Sequence, residues 1–391
     1  MADFDVAVVG AGCSGLWAAV TARRGGGRVL LLERNAGIGE RILCAEGVGR
    51  AGLSALMPVR PEWIAEPVDG VFFRAPGGQR AEIREPGAGF VAHKEIVLRD
   101  LAGAAAEAGV EIRLGCEVRD LRQAGPREWS VEIATGSGVT TVSCGSVVGA
   151  DGIECRIGRR LGIKRALKRS DLFLCAQYTV APVDAPVGAI EIHLGREVAP
   201  GGYAWVFPKG EGVANVGLGV LGEPGGRPAV EYLKRFVRAR CPESKIVKAV
   251  VGGVPSEREP FKASAGGVFL AGDAARMPDP VSGAGIVPGM ASGEVAGRHA
   301  LRHALGQSDL EAGDREFAKA MRAMSADRKV HWALRQALTR MSDKDLAKMV
   351  ALIGDYAGRG LSLRSNPMAF VGFLARKMPT CFRLARHLVG V

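Results

Sequence analysis

The sequence predicts an α/β fold in three parts: a dinucleotide-binding unit at the N-terminus, an inserted antiparallel β-sheet, and a helical C-terminal segment. The first part is indicated by an apolar run that leads into Gly10, Gly12 and Gly15. The second is indicated by short β-rich runs between residues 172 and 254, separated by glycine or proline. From residue 313 onward the apolar residues have helical spacing, which predicts the third part.

The dinucleotide-binding unit is predicted from the order of its elements. Residues 6–9 are apolar, as in a buried parallel strand, and the three glycines follow in G-x-G-x-x-G spacing before a predicted helix over 16–22. A second apolar strand, 28–32, ends at Glu33, where a carboxylate binds a ribose hydroxyl in Rossmann-like folds. An isolated glycine motif could be an ordinary turn, but strand, glycines, helix, strand and carboxylate all occur here in sequence.

The composition limits the classes of protein to which the chain can belong. Of the 391 residues, 47% are hydrophobic, which is enough for sizeable cores. There is no run of about 18 apolar residues, so no membrane-spanning helix is predicted. The first strand begins almost at once, which leaves no room for a signal peptide and predicts a cytoplasmic protein. The eight cysteines are scattered without a C-x-x-C pair, so neither a zinc site nor a disulfide framework is predicted.

The net charge of +11 is concentrated near the C-terminus, where residues 315–391 hold fifteen Lys/Arg and five Asp/Glu. Such a basic end suits an anionic membrane surface, an acidic substrate or an acidic protein carrier. No nucleic-acid motif is present, so no nucleic-acid partner is predicted. The predicted helices are 317–338, 344–356 and 370–389, the last broken at Pro379. The last helix is either interfacial or packed on the body with a solvated basic face. Arg328, Lys329 and Arg364 are candidates for contact with an anionic headgroup.

Several further stretches carry groups suited to a cofactor or an apolar ligand. Cys44 and Glu46 follow the second strand, where a bound dinucleotide would extend, although a lone cysteine is often only a core thiol. Asp273 ends an apolar strand before a glycine-rich loop and a helix over 287–301, so it is predicted as a helix N-cap, as a ligand of a cofactor hydroxyl, or both. Strand alternation places Tyr203, Trp205 and Phe207 on one face, either as core or as an aromatic wall for an apolar ligand.

Together these elements resemble the FAD-dependent, hydroxylase-like flavoprotein superfamily. The stretches Cys44-Ala45-Glu46-Gly47 and Tyr203-Ala204-Trp205-Val206-Phe207-Pro208-Lys209 further resemble the geranylgeranyl reductase family, and within it the archaeal-type enzymes that act on ether phospholipids. The resemblance implies a glutathione-reductase-type FAD-binding domain. It implies FAD contacts at Gly10, Gly12, Ser14, Gly15, Glu33, Cys44, Ala45, Gly47, Arg99, Val118, Asp273, Gly285 and Ile286. It implies substrate contacts at Tyr203, Trp205 and Phe207. One departure is Cys13, which stands where this family often has proline.

The resemblance also implies the reaction, which is saturation of isolated C=C bonds in geranylgeranyl chains. Reduced FAD would deliver hydride, Cys44 or Glu46 would supply the proton, and the reductant would be NADPH or a ferredoxin. The substrate expected first is an ether phospholipid, with geranylgeranyl diphosphate, a quinone tail or a chlorophyll side chain as alternatives. The basic C-terminal helices could hold the protein peripherally at the inner face of the membrane. Two other classes stay open: a flavin monooxygenase of aromatic substrates, and a non-catalytic lipid carrier.

The predicted domains follow from the same elements. The FAD-binding domain is expected to be discontinuous, over residues 1–60, 93–165 and 255–310. The antiparallel-sheet substrate domain is expected over 61–92 and 166–254, and the helical, basic segment over 311–391.

Overall fold

The structure is a computed structural model, and it describes residues 2–40, 42, 44–222, 226–257, 262–360 and 367–381. In chain order the strands of this part are β1 (Phe4–Val9), β2 (Val29–Leu32), β3 (Gly47–Gly49), β4 (Ile64–Arg74), β5 (Arg80–Ala92), β6 (Glu111–Arg113), β7 (Glu117–Gly125), β8 (Glu128–Thr135), β9 (Gly138–Gly149), β10 (Leu172–Ala181), β11 (Ala189–His193), β12 (Tyr203–Pro208), β13 (Ala214–Leu221), β14 (Lys245–Pro255), β15 (Ser264–Ala265) and β16 (Val268–Leu270). The helices are α1 (Cys13–Arg24), α2 (Arg50–Ser54), α3 (Lys94–Glu107), α4 (Arg156–Arg160), α5 (Ala229–Arg240), α6 (Ile286–Ala304), α7 (Leu310–Ala323), α8 (Arg328–Arg340), α9 (Asp343–Gly358) and α10 (Pro367–Lys377).

The first sheet is the nucleotide sheet, in the order β15-β16-β9-β1-β2-β6. Strand β1 lies at its centre and is parallel to both neighbours, with Val6 opposite Val29 and Ser146. Its residues 6–9 are buried, as expected of a strand covered on both faces. The carboxyl ends of β1, β2, β9 and β16 share one edge, which is where parallel sheets bind ligands.

We call the second sheet the substrate sheet, after the domain predicted from the sequence. Its strand order is β14-β10-β13-β12-β11-β4-β5-β3. Its neighbours are antiparallel except β4 and β11, which run parallel, with Ala189 opposite Gly70. These two strands are far apart in the chain, so no hairpin constrains their direction. The sheet includes Gly47–Gly49, which the sequence assigned to the FAD-binding range 1–60. One face packs on α5, and the other faces the nucleotide sheet across a cavity.

Helix α6 approaches α1 backbone to backbone, which brings it against the start of α1 at the glycine turn. A Cβ added to Gly293 would lie 2.2 Å from the carbonyl oxygen of Ser14, and one added to Gly297 would lie 2.3 Å from that of Ala18. Side chains larger than hydrogen would force these helices apart. The two glycines therefore set the close packing of α6 on α1.

Strand β9 pairs antiparallel with β8 at its start and parallel with β1 at its end. The structure corrects one predicted element: the predicted long helix 317–338 is two helices, because α7 ends before Ser325 and α8 starts after Asp327. The break contains no glycine or proline, and the guanidinium of Arg328 donates to backbone carbonyl oxygens inside the protein.

The C-terminal part of the chain is described only to residue 381. There α10 ends at Lys377, before Pro379, as the sequence predicted. The predicted helix residues 382–389 and the candidate Arg364 lie outside the described residues. Among the helices that the structure describes, none has the length and apolar character needed to span a membrane.

Candidate active site

The glycine turn between β1 and α1 is folded tightly on the nucleotide sheet and open on its other side. Gly10 has φ 104°, and a Cβ there would lie 2.3 Å from the carbonyl oxygen of Ala150. A Cβ on Gly15 would lie 1.9 Å from the carbonyl oxygen of Gly10. By contrast, a Cβ on Gly12 would meet nothing within 4 Å. The first and third glycines are required by packing, and the second leaves room for a ligand.

Glu33 lies beside this turn, as the sequence predicted, and its carboxylate is held in place. The amide N–H of Ala11 donates to Oε2 at 2.8 Å, while the backbone and side-chain N–H groups of Asn35 donate to Oε1 at 2.9 and 2.6 Å. A cavity of about 130 Å³ opens here. Its lining is Ala11, Gly12, Glu33, Asn35, Gly37, Ile38, Gly39, Glu40, Ile42, Lys94 and Leu98. An anchored carboxylate at this edge suits the ribose of an adenosine.

Lys94, which was not predicted as a site residue, is a cationic side chain at this site. It starts α3 and lines both the small cavity and the large cavity beside it. Burial lowers the pKa of Lys94, but the nearby Cys44, Cys13 and Asp273 raise it, and the net pKa lies above the usual value. The ammonium group therefore stays charged where the two cavities meet.

Two predicted FAD contacts are not brought to either cavity. Arg99 is exposed on α3, and its Nε–H donates to the carbonyl oxygen of Glu95 at 3.4 Å. Val118 is half-buried on β7, opposite Ile133. Neither residue lines the cavities.

Asp273 does lie in the large cavity, but not as a helix cap. It sits in a 3-10 turn, Gly272–Ala275, directly after β16, and the N-cap of α6 is Gly285. The N-cap prediction for Asp273 is therefore wrong, because the glycine-rich loop separates the aspartate from α6. Burial raises the pKa of its carboxyl, whereas Lys94 and Arg276 lower it, and the net shift is upward. Ser14, Gly285 and Ile286 line the same part of the cavity.

The large cavity has a volume of about 770 Å³ and is bounded by both sheets and by the C-terminal helices. It starts at the glycine turn and Asp273, continues along β12, and extends to α8 and α9. Its far end is lined by Leu338, Thr339, Met341, Leu346 and Met349. The lining is mainly apolar, so the cavity suits a long hydrocarbon chain beside a bound dinucleotide.

Tyr203, Trp205 and Phe207 share one face of β12 and line the cavity, as strand alternation predicted. Their rings follow one another with centroids 5.9 and 6.3 Å apart. The indole N–H of Trp205 donates to Oε1 of Gln177 at 3.1 Å, and the hydroxyl of Tyr203 donates to the carbonyl oxygen of Ser282. These hydrogen bonds fix the rings of Tyr203 and Trp205 in the wall.

The loop containing Cys44 crosses the cavity between the glycine turn and this wall. Cys44, Ala45, Glu46 and Gly47 all line it, and Glu46 has a left-handed backbone, with φ 71°. The amide N–H of Glu46 donates to Sγ of Cys44 at 3.2 Å. Gln177, which also holds Trp205, donates through Nε2 to the carbonyl oxygen of Cys44 at 3.1 Å. The loop is therefore tied to the substrate sheet through backbone and side chain.

The carboxylate of Glu46 is buried and fully engaged. Lys209 Nζ and Asn215 Nδ2 each donate to Oε2 at 2.6 Å, and the amide N–H of Lys94 donates to Oε1 at 3.1 Å. Lys209, Asn215 and Gln177 were missed as site residues. Only Lys209 could have been found from the sequence, because it is the last residue of the aromatic motif that includes β12.

Two protein-family models match this chain. The model described as "Geranylgeranyl reductase catalytic domain" matches residues 171–254, and the model described as "FAD binding domain" matches residues 5–71. The digeranylgeranylglycerophospholipid reductase of Methanothrix thermoacetophila is 38% identical over 98% of this chain and 99% of its own. This chain belongs to the digeranylgeranylglycerophospholipid reductase family. The relative from Methanocella arvoryzae, with the same name, is 36% identical over 88% of this chain and 89% of its own.

Comparison with solved structures also supports this family. A geranylgeranyl bacteriochlorophyll reductase-like protein from Thermoplasma acidophilum superposes with a TM-score of 0.91, at 27% identity, over 98% of this chain and 99% of that one. The p-nitrophenol 4-monooxygenase of Pseudomonas putida has a TM-score of 0.73 at 16% identity, over 94% and 97% of the two chains. The likeness to the monooxygenase is one of fold alone, so it does not support that alternative.

FAD is the cofactor of this digeranylgeranylglycerophospholipid reductase family member, and the residues present fit it. Gly12 leaves open space where a pyrophosphate must approach the backbone, and Lys94 places a cation between the two cavities. Glu33 would hold the adenosine ribose, and Asp273 the ribitol side of the flavin. The FAD-binding α/β fold predicted from sequence is confirmed, although the individual contacts stay predictions.

One predicted headgroup contact of this reductase is wrong. Arg328 is only 6% exposed, and its guanidinium donates to the carbonyl oxygens of Glu257, Met277 and Pro278. It therefore holds α8 against the loop beside Asp273 instead of facing an external anion. Lys329, the next residue, is exposed.

Proposed function

We propose that this chain is an FAD-dependent reductase that saturates the C=C bonds of geranylgeranyl chains, and that its substrate is an ether phospholipid. The observation that carries the proposal is the continuous apolar cavity that joins the FAD site to the aromatic wall of β12 and to α8 and α9. The printed names of the relatives support the substrate class, since they specify a digeranylgeranylglycerophospholipid. A free diphosphate or a quinone lacks this support, and a chlorophyll side chain has it only from the name of the Thermoplasma acidophilum structure, which is 27% identical.

Saturation of an isolated alkene needs a hydride at one carbon and a proton at the other, because no carbonyl is present to accept electrons. FAD supplies the hydride when it is bound and reduced. The chain supplies position and a dry environment: the rings of Tyr203, Trp205 and Phe207 hold the alkene, and the apolar lining excludes water. A chain with several double bonds must then slide along the cavity between turnovers.

Cys44 is the proposed proton donor. Its thiol is half-buried in the cavity, and loss of the proton leaves a thiolate that the N–H of Glu46 and the charged Lys94 can stabilise. Glu46 suits this role less well, because its carboxylate is bound by Lys209 and Asn215. We assign Glu46 to positioning of the Cys44 loop.

Two partners belong to the same proposal. The reductant is NADPH or a ferredoxin, and the basic C-terminal surface suits the acidic face of such a carrier by electrostatic steering. The same basic helices are a candidate for peripheral contact with an anionic membrane, through exposed residues such as Lys319 and Lys329. Both contacts remain predictions.

The test is an anaerobic assay of the purified flavoprotein with dithionite and a digeranylgeranyl ether phospholipid, followed by mass spectrometry. Each saturated bond adds two hydrogen atoms, so the mass also counts the bonds that react. Cys44→Ser should slow saturation by about 100-fold if the thiol is the acid, since a serine hydroxyl is a far weaker one. Cys381→Ser is the control. Reduction of the flavin by dithionite with no gain in lipid mass would remove the phospholipid, and oxygen uptake coupled to NADPH would favour the monooxygenase.

A further inference from the structure

Strand β14 forms one edge of the substrate sheet and exposes an unusual apolar surface. Ile246, Val247 and Val251 have exposed fractions of 54%, 68% and 66%, which is high for aliphatic side chains in a strand. Lys245 and Lys248 flank Ile246 and Val247 in the sequence and are also exposed. We call these five residues the β14 patch. Within the described residues, β14 pairs only with β10, so its outer edge is unpaired.

The register places the patch outside the core. Ile246 lies opposite Val180 and Val251 opposite Ala176, on the face where α5 packs against β10 and β13. Helix α5 stops short of covering the edge strand, so both side chains remain in solvent. Val247 is the additional residue of an irregularity between Thr179 and Val180. Such an irregularity disturbs the unpaired edge and disfavours addition of another strand.

The patch is continuous with the wall of the large cavity. Residues 250–254 of the same strand line that cavity, so Val251 belongs both to the patch and to the cavity lining. A geranylgeranyl chain that belongs to a membrane lipid has to pass from the bilayer into the protein. An aliphatic edge beside the cavity would shorten the path through water.

Charge favours a lipid surface over another protein edge. No acidic residue occurs between 245 and 255, and the exposed face of neighbouring α5 adds Lys234, Arg235 and Arg238 against Glu231. Aliphatic side chains flanked by lysines are the composition of interfacial segments that insert among anionic headgroups. Two copies meeting at this edge would instead bring these cations together.

We propose that the β14 patch docks the protein on an anionic phospholipid membrane, with Ile246 and Val247 among the acyl chains and Lys245 and Lys248 at the phosphates. The proposal rests on the proposed function for its choice of lipid. It adds a membrane contact on the substrate sheet to the one proposed for the basic C-terminal helices.

The experiment is co-sedimentation of the FAD-loaded protein with vesicles of phosphatidylglycerol and phosphatidylcholine. We expect Ile246→Ser combined with Val247→Ser to lower the partition coefficient about tenfold, since two aliphatic side chains no longer leave water. Lys245→Gln with Lys248→Gln should lower it about tenfold on anionic vesicles and little on pure phosphatidylcholine. The matched control is Val139→Ser with Leu305→Ser, two aliphatic residues that are 64% and 48% exposed on the nucleotide-binding side.

Any of four outcomes overturns the proposal. The serine pair at 246 and 247 could bind vesicles as tightly as the parent, or the parent could fail to sediment with anionic vesicles. The whole loss of vesicle binding could instead come from Lys319→Gln with Lys329→Gln, which would assign the contact to the C-terminal helices. A parent dimer that the serine pair dissociates, seen by light scattering, would make the patch an interface between copies.

Activity assays in detergent micelles and on vesicles test the proposed function separately from membrane docking. In detergent micelles the substrate needs no membrane docking, and neither Ile246 nor Val247 lines the cavity. The serine pair should therefore saturate micellar lipid at the parent rate and lose activity only on vesicles. A parent that binds vesicles through the patch but saturates no lipid would leave docking standing and remove the reductase. Equal activity of the pair and the parent on vesicles would remove docking alone.

Discussion

The ammonium of Lys209 lies 2.6 Å from a carboxylate oxygen of Glu46, and this ion pair joins the substrate sheet to the loop that carries Cys44. The two side chains are only 13% and 5% exposed. Glu46 also holds a left-handed backbone, φ 71°, which a non-glycine residue adopts only when its surroundings impose it. The ion pair, 163 positions apart in sequence, supplies that constraint.

Breaking this pair should damage both stability and catalysis. We expect Lys209→Met to lower the free energy of unfolding by about 3 kcal/mol, because it leaves the Glu46 carboxylate buried without its cation. Turnover should fall about tenfold with little change in FAD content, because the Cys44 loop loses its position. The measurements are urea unfolding and the anaerobic assay. Lys319→Met, at an exposed lysine, should stay within about 0.5 kcal/mol of the parent.

The double variant Glu46→Gln with Lys209→Met sharpens this test. It removes both charges, so the fold should recover part of the stability that Lys209→Met loses, while the rate stays low. If Lys209→Met unfolds at the same urea concentration as Lys319→Met, the pair has no structural role.

Lys94 and Arg99 should differ in their effect on FAD. We expect Lys94→Met to weaken FAD binding about tenfold or more, because its cation lies where both cavities meet. Arg99→Met, at an exposed position of the same helix, should bind FAD like the parent. The measurement is fluorescence titration of the deflavinated proteins with FAD. The reverse order of affinities would restore the contact at Arg99 that the family resemblance implied.

Gly47 should tolerate no side chain. A Cβ there would lie 2.8 Å from Cε2 of Phe207, so Gly47→Ala must push that ring from the wall into the cavity. We expect saturation to slow about tenfold, mainly through a raised KM for the lipid, with about 1–3 kcal/mol lost from overpacking. Gly103→Ala is the control, because a Cβ at that exposed helical position meets nothing within 4 Å. An unchanged KM in Gly47→Ala would argue that Phe207 does not touch the substrate.

His331 of α8 and Asp279 of the loop before α6 should make stability depend on pH. Their hydrogen bond raises the pKa of His331 above the usual 6.5. Burial alone would raise the pKa of Asp279, but the bond to His331 lowers it to about 2. The histidine contribution is complete below its unfolded pKa and is lost as pH rises through the raised pKa. The aspartate contribution is present above its unfolded pKa of 3.8 and is lost as pH falls toward 2.

We therefore expect the difference in unfolding free energy between the parent and His331→Gln to shrink as pH rises from about 6 to about 9. Urea unfolding at several pH values measures this difference. Taking the difference removes the contribution of the titratable groups that both proteins share. A difference that is constant across this range would show that His331 does not titrate against Asp279.

The nucleotide-binding turn could be predicted from sequence because its requirements are local: strand, glycines, helix and Glu33 follow within a short stretch. The aromatic wall was likewise predictable, since Tyr203, Trp205 and Phe207 alternate on one strand. Lys94 was missed because the choice between it and Arg99 depends on which face of α3 packs inward. Lys94 and Arg99 are five positions apart on α3, which is a rotation of about 500°, or about 140° beyond one full turn. Their side chains therefore lie on nearly opposite sides of the helix.

Non-local contacts explain the other misses. Nothing near Glu46 in the sequence indicates that Lys209 and Asn215 will bind it, since strands β12 and β13 bring them there. Arg328 has the sequence context of a solvated basic helix, and only the carbonyl oxygens of residues 257, 277 and 278 account for its burial. The break between α7 and α8 has the same tertiary origin.

The walls of the large cavity come from almost the whole chain, from Gly12 to Met349. At the usual rate of roughly 5–20 residues per second, the ribosome makes these two ends about half a minute apart. Until the later end emerges, the aromatic strand and the glycine turn have no partner to complete the enclosure. The nascent chain must therefore shield a large apolar surface during translation, and we expect chaperone dependence in cells to be set by this interval more than by the stability of the finished fold.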